Sequence, residues 1–178
     1  AALAGPIGTV EIAAALALTV AFGLISYVLK AASVTGMLSG VLLSLLVIVF
    51  GGFGWFAVLM SFFAIGALST KFRYDEKLDR GVAEENEGAR GTSNVFGNAA
   101  VALVAVVGFA ASAHVAIDGT LFQFAFAGSM AAALSDTLSS EIGGLYDDPR
   151  LITTLERVEP GTDGGVTWQG ELAGVVGA

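Results

Sequence analysis

Between Lys30 and Lys71 the chain runs for forty residues, 31 to 70, without one charged side chain. As a single α-helix that stretch would measure about 60 Å, twice a hydrocarbon core of about 30 Å. It therefore has to hold two crossings. The break falls in Gly51-Gly52-Phe53-Gly54-Trp55, where the glycines favour a turn and Trp55 suits an interface. Hydrophobic residues make up 55% of the 178-residue chain and charged residues only 13%, which separates it from ordinary soluble domains. The expected fold is all-α: a polytopic transmembrane helical bundle forming one integral membrane domain over 1–178. Cysteine is absent, so disulfides, thiol nucleophiles and cysteine metal sites are excluded.

The same accounting sets five full spans, at 12–29, 31–50, 53–70, 97–117 and 120–142, with Asp118-Gly119 as a tight turn between the last two. A sixth begins near Gly170. Nine residues carry it only about 14 Å, so this reading expects either a half-helix or further residues beyond Ala178. The opening AALAG has neither Met nor a basic n-region, and no signal peptide is expected there. All eight basic residues fall in the loops about 71–96 and 143–168 or at Lys30, which alternate crossings place on one face. The positive-inside rule makes that face cytoplasmic in the cell membrane and leaves the N-terminus outside.

Three polar segments exceed what linkers need. In DRGVAEENEGARGTSNVFGN (79–98), Gly88, Arg90 and Gly91 precede the fourth span. Glycine lets backbone N–H groups approach an anion, arginine binds phosphate oxygens in pairs, and a helix start supplies free donors. A solvated loop followed by Ser/Asn helix capping accounts for the same residues. VEPGTDGGVTWQG (158–170) reads as a turn and helix cap. Neither is a P-loop, since GxxxxGK[ST] is absent.

The third segment, AALSDTLSSEIGG (132–144), puts Asp136 and Glu141 about 24 and 32 Å along a helix that starts at Thr120. A lone charge at mid-bilayer costs about 2.5–3.5 kcal/mol even on the lenient insertion scale, so each acid near this edge needs a partner or a function. Acids pairing with Arg90 would be the plain account. The two lie about 140° apart around a regular helix, Asp136 in line with Ser139 and Ser140, Glu141 in line with Thr137. They can serve one ion only if the helix opens near Gly143 or the ion sits across a helix pair. His114, Phe122, Phe124 and Phe126 read as packing or interfacial residues, and Gly36 and Gly40 form a GxxxG pair for close helix contact, within one chain or in a homo-oligomer.

GARGTSNVFGNAA, AALSDTLSSEIG and VEPGTDGGVT, in this order and between these spans, resemble the signature segments of the membrane family that includes phytyl-phosphate kinase and transmembrane protein 19. The similarity runs from about Thr35 onward. The family pattern usually has Gln at the position of Asn94 and Gly at that of Ala99. The resemblance implies a polytopic kinase that converts a polyprenyl monophosphate, of phytyl or geranylgeranyl type, to its diphosphate with a nucleoside triphosphate, CTP or ATP. It implies Asp136, Glu141 and Asp163 as ligands of Mg2+ or its waters, and Arg90 as a phosphate clamp acting with Asp136 and Glu141. Gly88, Gly91, Asn94, Asn98, Ser140, Gly161, Thr162, Gly164 and Gly165 are then expected to hold phosphate or nucleotide. The isoprenoid tail would lie among the spans and membrane lipids.

The net charge of −8, with acidic runs at Glu84–Glu87 and Asp147-Asp148, suggests a high-salt source and offers nothing for nucleic acid. A lipid nucleotidyltransferase and a membrane transporter are the competing classes. The transporter class sits poorly with polar motifs gathered on one face and no visible repeat.

Overall fold

The computed structural model describes residues 8–178, so the reading of the opening AALAG lies outside the described residues. Helix α1 spans Thr9–Val28, α2 Val34–Gly51, α3 Phe53–Lys71 and α4 Tyr74–Asp79. A 3-10 turn at Asn86–Gly88 precedes α5, Thr92–Ser112, and α6, Thr120–Gly143. Two short strands, β1 (Arg150–Leu151) and β2 (Gly165–Val166), pair antiparallel with Arg150 opposite Val166, and α7 covers Trp168–Gly177.

Helices α1, α2, α3 and α5 are each long and apolar enough to cross a membrane. This makes the chain a polytopic helical membrane protein. At 24 residues α6 has the length as well, but Ser135, Asp136, Thr137, Ser139, Ser140 and Glu141 in its second half keep it from matching the other four in apolarity. Exposure follows from lipid replacing water as the outer medium. On α5 the small residues Ala99, Ala102 and Ala105, with Val106, are buried, whereas Val101 and Val104 are 66% and 71% exposed. Small residues inward let backbones approach, and branched residues outward meet lipid tails.

Two compact units emerge, and α3 and α6 each contribute a half to both. The first comprises the described residues up to Ser61 with Ala89–Met130. Its helix α2 packs most extensively against α5 and then α1. Gly23 of α1 sits against Met37 and Val41 of α2. Trp55 lies 4.6 Å from the Phe126 ring and 4.9 Å from that of Phe109, and Phe122 covers Gly108. Phe122 and Phe126 are therefore packing residues, as expected, while Phe124 is 74% exposed.

The second unit comprises Phe62–Gly88 and Ala131–Ala178. Here α7 lies along α6 through Gly170, Gly174 and Gly177. A Cβ at Gly170 would stand 2.7 Å from the Ser139 carbonyl and 2.9 Å from the Gly143 Cα. Only glycine permits that spacing.

One boundary moves. The fourth span was expected over 97–117, with Thr92, Ser93 and Asn94 in the preceding loop, but α5 starts at Thr92. The cause is a cap: the Asn94 side chain accepts the Gly91 N–H at 3.0 Å, closing the first turn five residues early. The short α4 and the strand pair are also absent from the sequence reading. The second loop, 143–168, holds that strand pair.

Candidate functional site

The first unit carries the Arg90 segment, and backbone bonds hold it. Arg90 N–H donates to the Ala31 carbonyl at 3.0 Å, and the Arg90 carbonyl accepts the Ser33 N–H at 3.0 Å. The link between α1 and α2 thus grips both sides of one residue. Lys30, with φ 53°, turns the chain out of α1 to make this link, and Ser33 caps α2 by accepting the Gly36 N–H at 3.2 Å. Gly36 lies directly beneath the Arg90 carbonyl, where a Cβ would come within 1.9 Å of the oxygen. Its half of the GxxxG pair is therefore used inside the chain; Gly40 has open space around it.

Arg90 is buried at 7% exposure and Gly91 serves as the N-cap of α5. Thr92 and Ser93 form the first turn of α5, the end of a helix that carries partial positive charge. Asn94 and Asn98 are half-buried on the first two turns. The Thr92 hydroxyl donates to the Thr35 carbonyl of α2 at 3.2 Å. The capping reading of this stretch is represented in the structure.

The second unit holds the acids. Helix α6 continues unbroken through Asp136, Glu141 and Gly143, so the opening required for the two carboxylates to share an ion does not occur. They part company. Asp136 is exposed on the helix and engages no protein group among the described residues. Glu141 is tied on both oxygens: its Oε1 accepts the Thr70 hydroxyl at 2.5 Å and its Oε2 accepts Lys77 Nζ at 2.6 Å. Lys77 also donates to the carbonyls of Ser69, at 2.9 Å, and Thr70, at 2.8 Å, which uses all three ammonium protons. Its side chain is 1% exposed against 12% for Glu141.

Sequence reasoning missed Lys77, which looked like one of five basic residues in the loop about 71–96. Its partner lies 64 residues away, and no periodicity records that distance. The available signal was Glu141 itself, an acid at a helix end that required a cation.

The GTDGG segment forms the connection between β1 and β2. Thr162 N–H donates to the Glu159 carbonyl at 3.2 Å and Gly165 N–H to the Thr162 carbonyl at 2.9 Å, two successive turns. Gly161 and Gly164 take φ of 83° and 77°, conformations that favour glycine. Thr167 then caps α7 by accepting the Gly170 N–H at 3.2 Å. The turn-and-cap reading of 158–170 holds. Asp163 is exposed on this loop and engages no protein group among the described residues. Ser140 is exposed on α6, and Gly88 is buried with φ 76° at the end of the 3-10 turn, its backbone close on Thr70.

No three His, Asp or Glu side chains gather into a metal-holding group among the described residues. A protein-only cage for a cation does not fit. Asp136 and Asp163 stand as separate exposed carboxylates.

Comparison with known proteins agrees with the motif resemblance. The integral membrane protein family DUF92 matches residues 17–178, and the chain belongs to that family. It is 37% identical over 148 residues to an uncharacterised membrane protein of Methanocaldococcus jannaschii, covering 80% of this chain and 57% of that one. Against the chloroplastic protein VTE6 of Arabidopsis thaliana it is 33% identical over 126 residues, 70% of this chain and 38% of the relative. Against protein PGR of the same plant the identity is 34% over 158 residues, 83% and 54% of the two chains. The chain thus spans roughly half the length of these relatives. No solved structure matches it.

Proposed function

Taking membership of the DUF92 membrane family as premise, we propose that this protein belongs to a kinase that phosphorylates a polyprenyl monophosphate to its diphosphate. The observation that carries this reading is the start of α5. There a buried Arg90 and a glycine N-cap adjoin the first turn of α5, a helix start of the kind that suits phosphate. Within a membrane protein, a phosphate-binding helix end suits a lipid phosphate whose tail lies among apolar helices. The reading further takes α6 as a fifth span, puts the loops about 71–96 and 143–168 in the cytoplasm, and leaves the N-terminus outside.

The monophosphate is largely a dianion near neutral pH, so its oxygen attacks the terminal phosphorus of ATP or CTP without a strong general base. A P–O bond forms to the lipid phosphate as the bond to the bridging oxygen breaks, and nucleoside diphosphate leaves with the electron pair. Positioning and charge neutralisation remain for the protein to supply. Arg90 clamps phosphate oxygens, and the N–H groups after Gly91 receive them, with Asn94 and Asn98 at the helix start. Asp136 and Asp163 hold the metal or its waters, and the turns from Gly161 to Gly165 and the Ser140 hydroxyl serve the nucleotide. Mg2+ held there by Asp136 and Asp163, directly or through water, would supply charge neutralisation for the transfer.

The test is an assay of purified protein with Mg2+, ATP or CTP, and phytyl or geranylgeranyl monophosphate. Lipid diphosphate is the expected product, and Asp136→Asn is expected to abolish it. Undiminished activity in Asp136→Asn removes that residue from the metal role. Release of pyrophosphate instead of nucleoside diphosphate identifies a lipid nucleotidyltransferase.

A further inference from the structure

We propose that Glu141 is a positioning residue and not a cation ligand, and that Lys77 is its partner in a buried latch joining the end of α3, the 71–88 loop and the end of α6. Part of this inference, the effect on Asp136, rests on the kinase reading above; the latch itself does not.

The argument begins with valence. Lys77 has three protons, and the Ser69 carbonyl, the Thr70 carbonyl and Glu141 take one each. Glu141 has two oxygens, and Thr70 and Lys77 engage both. A Mg2+ seated on Glu141 would have to displace an ammonium that is 1% exposed. Two cations would then face each other where water does not reach. The carboxylate is committed.

The two carbonyls identify what the latch does. Ser69 and Thr70 lie in the last turn of α3, where the helix end carries partial negative charge and the Ser69 carbonyl also accepts the Phe72 N–H at 3.2 Å. Lys77 serves as a side-chain cap for that end, reached because Arg73, with φ 52°, turns the chain back into α4. Lys77 is the buried residue of this six-residue helix, so α4 is held largely by its ammonium. Glu141 balances the charge and brings in α6.

Fixing Glu141 fixes the rotation of α6 about its own axis. Asp136 stands five residues earlier on the same unbroken helix, about 7.5 Å along it. Turning or fraying the last turn of α6 would swing that exposed carboxylate away from its working direction. The latch therefore acts on the reaction through Asp136.

The test uses the full chain in nanodiscs, with Glu141→Gln, Lys77→Met, the double variant Lys77→Met/Glu141→Gln, and Asp136→Asn. In thermal unfolding each single latch variant is expected to lower Tm by about 5 °C or more, since each strands a buried partner. The double variant is expected to lose clearly less than the sum. Strictly additive losses would overturn the pair, whatever the protein catalyses. Mn2+ binding in the presence of nucleotide, followed by electron paramagnetic resonance, supplies the second readout. Glu141→Gln is expected to keep Mn2+ affinity within about twofold while kcat per folded molecule falls about tenfold, whereas Asp136→Asn loses affinity tenfold or more. A tenfold loss of Mn2+ affinity in Glu141→Gln would restore Glu141 as a ligand. An unchanged kcat would reduce the latch to plain structure. If wild-type protein transfers no phosphate at all, the kinase reading falls while the coupling in Tm still decides the latch.

Discussion

The Arg90 segment and the Glu141 end of α6 are the two places where this chain fixes a functional motif, and they do it by opposite means. Arg90 is gripped through its own peptide groups by Ala31 and Ser33, with Gly36 cleared away beneath it. Glu141 is gripped through its side chain by a buried ammonium and a hydroxyl. The difference follows from what each region needs. At Arg90 the backbone carries the load. At Glu141 the load is a charge at the end of an apolar helix, and only an opposite charge with hydrogen bonds settles it. A backbone lock should be insensitive to side-chain chemistry and fail on added volume, whereas a charge lock should fail on neutralisation and tolerate a matched apolar replacement.

Gly36→Ala is the sharpest way to break the first half of that contrast. The added methyl would meet a backbone oxygen at 1.9 Å, and that oxygen cannot move without giving up the Ser33 N–H. Overpacking and a stranded donor together are expected to cost about 3 kcal/mol. Phosphate transfer should fall with it, read as a lower Tm and a raised KM for the lipid phosphate. Gly40→Ala, in open space, is the control and should be nearly silent. Equal effects at the two glycines would mean that the pair serves helix association generally, and the backbone-lock account would fail.

A smaller effect is expected at Gly170, where the backbones of α6 and α7 touch without any charge. A methyl there would meet the Ser139 carbonyl at 2.7 Å and the Gly143 Cα at 2.9 Å, and Gly170→Ala is expected to cost about 1–2 kcal/mol. Amide exchange should rise in α7 first. Exchange rising instead throughout 71–88 would show that the latch and the α7 contact are one cooperative unit.

The helices were legible because their signal is local. Reading 53–70 against α3 at Phe53–Lys71, and 120–142 against α6 at Thr120–Gly143, the ends agree within a residue, since long apolar runs bounded by charge or glycine leave little freedom. The start of α5 was placed five residues late, although Ser/Asn capping was one reading of the stretch, and the Asn94 side chain does close the helix. Glu141 shows a harder limit. Its residue type and depth announced the need for a partner, but the partner sits on a six-residue helix 64 residues away in the chain. Local propensity could place neither. The backbone grip on Arg90 is equally silent in sequence, apart from the glycine at 36.

The same helix offers a gentler version of the charge lock at its other end, and it carries the smallest expected effect. Asp118 precedes α6 and its Oδ1 accepts the Thr120 N–H at 2.9 Å. This bond to the backbone N–H, with the Thr120 hydroxyl, holds the fully exposed Asp118 carboxyl below its ordinary value of 3.8. A carboxyl lowered by folding stabilises the fold above its unfolded value, and that contribution is lost as pH falls through the lowered folded value. Acidification below about pH 4 should therefore fray the first turn of α6. Asp118→Asn keeps a capping oxygen and should remove the pH dependence while changing Tm at neutral pH by no more than a degree or so. Amide exchange at the start of α6, followed from pH 6 downward, reads this directly. A loss at Asp118 as large as that of Glu141→Gln would show that burial is not what separates the two carboxylates, and the contrast between strong and weak charge locks would collapse.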